Sequence, residues 1–106
     1  MWVKRNKYGN KRCEYNGMKF DSQAELRHWK NLELLEKAGK IRGLSRQIPF
    51  LFEYGGNKIG KYVADYCYFE NDQPVVSDCK GKLTDLYKWK KKMMKAFFGI
   101  IILEVK

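Results

Sequence analysis

Two short turn signals divide residues 44–80 into three runs rich in β-branched and aromatic residues. The first signal contains Gly55-Gly56, and the second is Asn71-Asp72. Strands joined by turns this short pair antiparallel with their neighbours in the chain. The pattern therefore predicts a three-stranded antiparallel meander, and the rest of the chain has to fold around it.

The segments on either side of the meander have helical signals. Residues 20–41 predict a helix of about four turns, with Ser22 as its N-cap and Gly39 as its stop signal. Residues 82–98 predict a second helix, and residues 100–105 predict a last strand. A strand that follows another strand through a helix normally lies parallel to it in the same sheet.

Two smaller signals complete the predicted fold. Asn16-Gly17, between alternating residues, predicts a hairpin before the first helix. Pro49 lies within the first strand of the meander and predicts an edge or bulged strand, because proline has no N–H to donate. We therefore expect an α/β fold in which helices flank a mixed sheet, in the order αβββαβ after an N-terminal hairpin.

The length of 106 residues allows one hydrophobic core but not two. We expect residues 1–12 to form a basic N-terminal arm and residues 13–106 to form a single domain. No window approaches the roughly 18 apolar residues of a membrane span, and the N-terminus lacks the apolar region of a signal peptide. The three cysteines have no C-x-x-C spacing and fit reduced thiols. These features predict a cytoplasmic protein without a membrane partner.

The net charge predicts a polyanionic partner. Twenty-two Lys and Arg against 12 Asp and Glu give a formal charge of +10, which makes nucleic acid the first candidate. The charge lies in two blocks, residues 1–12 and residues 82–95. The residues expected to contact DNA are Lys4, Arg5, Lys7, Lys11, Arg12, Lys82, Thr84, Lys88, Lys90, Lys91 and Lys92.

Lys90 differs from the other lysines of the second helix because it falls within the apolar arc of that helix. One interpretation is that its stem packs on the core while the ammonium reaches the edge. The other is that Lys90 reaches the acidic residues or a bound phosphate, where the Thr84 hydroxyl could add a contact. The sequence leaves both open.

An acid and a base lie two positions apart at the end of the third strand, in the segment VVSDCKG. Alternate residues of a strand face the same side, so Asp78 and Lys80 share a face. Asp65 is the one acid in the apolar run YVADYCYF, where an uncompensated carboxylate is costly to bury. Adjacent strands are about 5 Å apart. Asp65 and Asp78 could therefore share one divalent cation, with Lys80 beside the attacking water.

The same residues also have structural interpretations. Asp65 and Lys80 could form a cross-strand ion pair, and Asp78 could accept turn hydrogen bonds. Glu25 lies three positions after Ser22, which fits a capping box as well as a role at the metal.

Four segments, MKFDSQAE, AGKIRGLSRQIPF, YVADYCYF and VVSDCKGKLT, resemble the PD-(D/E)XK nuclease superfamily. More narrowly, they are similar to a family of small phage-encoded endonucleases of the Holliday-junction-resolvase type. The resemblance covers nearly the whole chain and implies that the αβββαβ core is restriction-endonuclease-like. One departure is Ala64, which stands where the motif's name has a proline.

This resemblance implies a set of site residues. Glu25, Asp65, Asp78 and Lys80 would be catalytic, and the three acids would hold Mg²⁺ or Mn²⁺. Gln47 matches a polar position of the narrower family and is an additional candidate. The implied reaction is metal-dependent hydrolysis of DNA phosphodiester bonds, leaving 5′-phosphate and 3′-hydroxyl ends.

The resemblance also implies a biological setting. A junction-selective endonuclease acts in DNA recombination on branched DNA, and its two symmetric cuts imply a homodimer. If a phage encodes the chain, the protein would work in the cytoplasm of the host cell.

Two other classes of function stay open. One is a non-catalytic accessory module that binds nucleic acid with a nuclease-like fold, and the other is an adaptor that binds acidic protein surfaces. The set of four candidate catalytic residues favours the enzyme, because a protein that only binds a polyanion has no need for buried acids.

Overall fold

The computed structural model describes residues 12–79 and 83–105. Within these residues the chain forms a short hairpin followed by the predicted order of helix, three strands, helix and strand. The elements are β1 (Cys13–Tyr15), β2 (Met18–Phe20), α1 (Gln23–Lys37), β3 (Arg42–Tyr54), β4 (Asn57–Glu70), β5 (Gln73–Cys79), α2 (Asp85–Phe98) and β6 (Leu103–Val105).

The main sheet is mixed, as the sequence predicted. Its strands lie in the order β3-β4-β5-β6, with β3, β4 and β5 antiparallel and β6 parallel to β5. The hairpin of β1 and β2 forms a separate small sheet. Pro49 lies in the edge strand β3, opposite Val63, where its missing N–H is tolerated. The α/β fold with a mixed sheet is therefore confirmed.

Both helices begin at a capping side chain. The Ser22 hydroxyl accepts the backbone N–H of Glu25 at 3.2 Å before α1. The Thr84 hydroxyl accepts the backbone N–H of Tyr87 at 3.1 Å before α2. Helix α2 is followed by Gly99, whose φ of 67° suits glycine. Neither helix of the described ranges is long and apolar enough to cross a membrane.

The two helices cover opposite faces of the main sheet. Val76 of β5 belongs to the cluster that packs against α2, whereas Val75 and Cys79 of the same strand pack against the cluster that contains Trp29 and Leu32 of α1. We call the first group the α2 cluster; its buried members are Phe52, Tyr62, Ala64, Val76, Tyr87, Met94 and Ile102. We call the second the α1 cluster; its buried members are Phe20, Trp29, Leu32, Ile41, Tyr66 and Tyr68.

Strand β4 changes face at Asp65. Residues two apart in a regular strand face the same side, yet Ala64 belongs to the α2 cluster and Tyr66 to the α1 cluster. In β3, Gln47 lies between the partners of these two residues and has a φ of 54°, which is uncommon outside glycine. A local distortion of the β3–β4 pair therefore lets one strand serve both cores and sets Asp65 at the change of face.

Phe52 tests the importance of the α2 cluster. It is 0% exposed and its ring contacts those of Trp89, Phe97 and Phe98. We expect Phe52→Ala to lower the free energy of unfolding by about 3–5 kcal/mol through lost burial and the cavity left behind, measured by urea denaturation. Leu51→Ala, on the neighbouring residue that is 47% exposed, is the matched control and should cost under about 1 kcal/mol. Equal losses would contradict this core.

Candidate active site

Three acids lie on neighbouring strands near the point where β5 and β6 end. Asp78 is 1% exposed near the end of β5, and its partner in β6 is Glu104. On the other side, the pairing of β4 with β5 continues to Tyr66 opposite Ser77. The next residues beyond this last pair are Asp65 in β4 and Asp78 in β5. We call Asp65, Asp78 and Glu104 the acid row.

The Asp78 carboxylate is held by a tyrosine of the α2 cluster. The Tyr62 hydroxyl donates a hydrogen bond of 2.5 Å to Asp78 Oδ2, a length typical of a phenol on a charged acceptor. Burial raises the pKa of Tyr62, and the hydrogen bond to Asp78 raises it further, so the phenol keeps its proton. Tyr62 therefore fixes the position of Asp78. Sequence analysis did not identify it as a site residue.

Asp65 is half-buried and lies near Gln47, the additional candidate. The Gln47 side-chain amide is 3.5 Å from Asp65 Oδ1, a long contact. The pKa of Tyr87 is raised by burial, then by its hydrogen bond to Glu104, and then by the charges of Glu104, Asp78 and Asp65. Asp65 and Asp78 therefore lie within electrostatic range of the same hydroxyl.

Glu25, in the first turn of α1, is influenced by the charge of Asp78. Burial raises the pKa of its half-buried carboxyl; the charges of Asp21 and Asp78 raise it further, while Arg46 opposes them. The Tyr66 hydroxyl donates to the Glu25 backbone carbonyl at 2.8 Å and ties the first turn of α1 to β4. Glu25 is thus close enough to Asp78 for the two charges to repel.

His28 also joins α1 to β5 next to the acid row. Its Nε2 lies 3.2 Å from the Oγ of Ser77, which is fully buried beside Asp78. Burial lowers the pKa of His28, which favours a neutral imidazole. With Ser77 buried, this contact fastens α1 to the strand that carries Asp78.

The acids described above fit a Mg²⁺ or Mn²⁺ ion only as a site with two protein carboxylate ligands. Among residues 12–79 and 83–105, no group of three or more His, Cys, Asp and Glu side chains lies close enough to hold a metal ion. Mg²⁺ often binds through one or two carboxylates, with waters and phosphate oxygens completing the shell. Asp65 and Asp78, which directly follow the last β4–β5 pair, would supply that minimum, and Glu25 as a third ligand stays a prediction.

Glu104 is a half-buried acid that sequence analysis missed. Its Oε2 accepts the Tyr87 hydroxyl at 2.8 Å and the Lys91 ammonium at 2.9 Å. The available signal was a lone acid in the apolar run IIILEV, the same signal that identified Asp65.

Helix α2 has a cleft on each side. The first, the lysine cleft, has a volume of about 410 Å³ and is lined by Lys88, Lys91, Lys92, Lys95 and Ile101. The second, the Thr84 cleft, has a volume of about 260 Å³ and is lined by Lys61, Tyr62, Val63, Thr84, Leu86, Tyr87 and Lys90. Because Tyr62 lines the Thr84 cleft and binds Asp78, this cleft adjoins the acid row. Five residues predicted to contact DNA therefore line the two clefts.

The remaining predicted residues are placed as follows. Arg12 is exposed, and its Nε lies 3.9 Å from the Asp21 carboxylate. The other predicted residues, Lys4, Arg5, Lys7, Lys11, Lys80 and Lys82, lie outside the described residues.

Comparison with known proteins gives one match. A family model described as "Protein of unknown function (DUF1064)" matches residues 5–104. No curated protein and no solved structure matches the chain.

The hydrogen bond between Tyr62 and Asp78 can be tested by stability. Tyr62→Phe removes the donor and leaves the buried carboxylate without it, so we expect a loss of about 1.5–3 kcal/mol in the free energy of unfolding at neutral pH. Tyr54→Phe, at a residue 76% exposed, is the control and should change it by less than about 0.5 kcal/mol. Equal small effects of the two variants would contradict the role of this hydrogen bond.

The raised pKa of Glu25 predicts a pH dependence. Because the folded protein holds this proton more tightly than the unfolded chain, stability should fall as pH rises from the ordinary glutamate pKa through the raised one. Glu25→Gln removes this ionisation, so the variant should gain stability relative to the wild type across that interval, measured by thermal unfolding at a series of pH values. The exposed Glu53→Gln should follow the wild-type profile. A Glu25→Gln profile parallel to the wild type would contradict the raised pKa.

Proposed function

We propose that this chain, which belongs to the family described as "Protein of unknown function (DUF1064)", is a metal-dependent DNA endonuclease. The observation that carries the proposal is the pair of Asp78 and Asp65 beside a lysine-containing cleft. Asp78 is almost fully buried in a chain with a net charge of +10. A buried carboxylate facing a polyanion has no use in simple binding, whereas a cation between them makes the arrangement favourable.

Each residue of the proposed site has a role that follows from its contacts. Asp65 and Asp78 would hold Mg²⁺ or Mn²⁺, with Glu25 beside them. When bound, such an ion activates a water molecule and offsets charge on the scissile phosphate. The Tyr62 hydroxyl fixes the carboxylate of Asp78.

Two further side chains complete the proposed site. The Gln47 amide would steady Asp65 through the contact of 3.5 Å between its Nε2 and Asp65 Oδ1. Lys80, predicted from the sequence, would orient or deprotonate the water.

The Thr84 cleft supports a path for the DNA backbone next to the acid row. Lys61 and Lys90 line this cleft and supply positive charge there. Lys90 is half-buried. The lysine cleft on the other side of α2 adds four lysines, of which Lys91 is paired with Glu104. Contacts of this kind give affinity without reading base sequence.

We propose branched or duplex DNA as the partner of this surface. Paired cuts would require a homodimer, and we propose a cytoplasmic location.

A non-catalytic DNA-binding module is the second candidate. It is favoured by the lack of any three-ligand group within the described ranges, since the two clefts beside α2 could bind DNA without a metal. An enzyme and a binder differ in turnover, which the next experiment measures.

The proposal predicts cutting that depends on both metal and Asp78. A labelled four-way junction and a matched linear duplex are incubated with the protein in Mg²⁺, in Mn²⁺ and in EDTA. We expect cutting with either metal and none in EDTA. Asp78→Asn should lower the rate by more than about 100-fold, because even indirect supports of a metal ligand are worth 10–100-fold.

The control variant is Asp72→Asn, which removes an exposed acid at the far turn between β4 and β5. It should cut at the wild-type rate. Symmetric paired nicks confined to the junction would identify a resolvase. Tight binding of both DNAs without cutting in either metal would overturn the enzyme and favour the binding module.

A further inference from the structure

Lys91 belongs both to the lysine cleft and to the acid row. Its side-chain stem lines the cleft, and its ammonium donates to Glu104 Oε2 at 2.9 Å. Its side chain is 40% exposed and that of Glu104 is 27% exposed, so the ion pair lies partly out of water. Lys88, Lys92 and Lys95 line the same cleft as exposed residues. Lys91 therefore lines the cleft and at the same time places its positive charge against Glu104 of the acid row.

The inner end of this ion pair lies next to the proposed cation site. Glu104 and Asp78 are register partners in the parallel strands β5 and β6, so their side chains point to the same face of the sheet. Adjacent strands are about 5 Å apart. The Tyr87 hydroxyl donates to the same oxygen of Glu104 as Lys91 does. The net charge beside Asp78 therefore depends on whether Lys91 neutralises Glu104.

We propose that Lys91 couples binding of a DNA phosphate in the lysine cleft to cation binding at Asp65 and Asp78; this inference rests on the proposed function. A phosphate in the cleft competes with Glu104 for the Lys91 ammonium, which has three donors on a flexible stem. As Lys91 turns toward the phosphate, the charge of Glu104 is less neutralised and the neighbouring aspartates attract a cation more strongly. By linkage, the cation raises DNA affinity by the same factor. Substrate binding thereby prepares the site that cuts it.

The first arm of the test measures Mn²⁺ binding without DNA, by calorimetry. Lys91→Met leaves Glu104 without this cation, so Mn²⁺ should bind about three- to tenfold more tightly than to the wild type. Glu104→Gln removes the negative charge, so Mn²⁺ should bind more weakly by a similar factor. Lys92→Met takes the same charge from an exposed position of the same cleft and should stay within about twofold of the wild type. Lys91→Gln repeats the test with a polar side chain, and circular dichroism checks the fold of each variant.

The second arm measures the coupling itself. The anisotropy of a labelled phosphorothioate duplex, which resists hydrolysis, gives DNA affinity with and without Mn²⁺. Mn²⁺ should raise the affinity of the wild type and of Lys92→Met by about three- to tenfold, and this gain should be lost in Lys91→Met.

The contrary outcomes separate the inference from the proposed function. If Mn²⁺ binding is saturable and Asp78→Asn abolishes it, the cation site is supported. If Mn²⁺ nevertheless raises DNA affinity equally in the wild type and in Lys91→Met, the coupling through Lys91 is overturned. Absence of saturable Mn²⁺ binding by the wild-type protein would overturn both.

Discussion

A buried hydrogen bond, from the Tyr62 hydroxyl to Asp78, is the interaction on which the rest of the site depends. A carboxylate that is 1% exposed needs a partner, because burial of an uncompensated charge costs several kcal/mol. Tyr62 supplies it from β4, the neighbouring strand, and its ring at the same time belongs to the α2 cluster. Packing and the hydrogen bond therefore both fix the position of Asp78, and a metal site requires carboxylate ligands that are held in place.

The placement of α2 determines where positive charge meets the acids. Its inner side packs Tyr87 and Met94 into the α2 cluster, and a cleft containing lysines lies on each side of that contact. One cleft adjoins Asp78 through Tyr62, and the other reaches Glu104 through Lys91. A single helix thus brings lysine side chains close to both Asp78 and Glu104. Our proposals for cutting and for coupling both follow from this arrangement.

Local signals in the sequence predicted the order of elements and two of the acids. These signals are the paired turn residues, the cap at Ser22 and the lone acid of β4. Each one involves only a few consecutive residues, so it can be recognised in the sequence without a structure. The face change at Asp65 could not be predicted, because it depends on the positive φ of Gln47, and glutamine carries no sequence signal for that conformation. The role of Tyr62 depends on a cross-strand contact over 16 positions. Glu104 carries the same local signal as Asp65, a lone acid in an apolar run, and was therefore predictable from the sequence.

The central claim is that Asp65 and Asp78 hold one cation between them. A crystal of the protein soaked in millimolar Mn²⁺ tests it directly, because anomalous scattering locates manganese without reference to activity. We expect an anomalous peak from a manganese ion that lies about 2.0–2.3 Å from a carboxylate oxygen of Asp65 and from a carboxylate oxygen of Asp78. A map with no peak there, or with manganese bound only elsewhere on the surface, would contradict it.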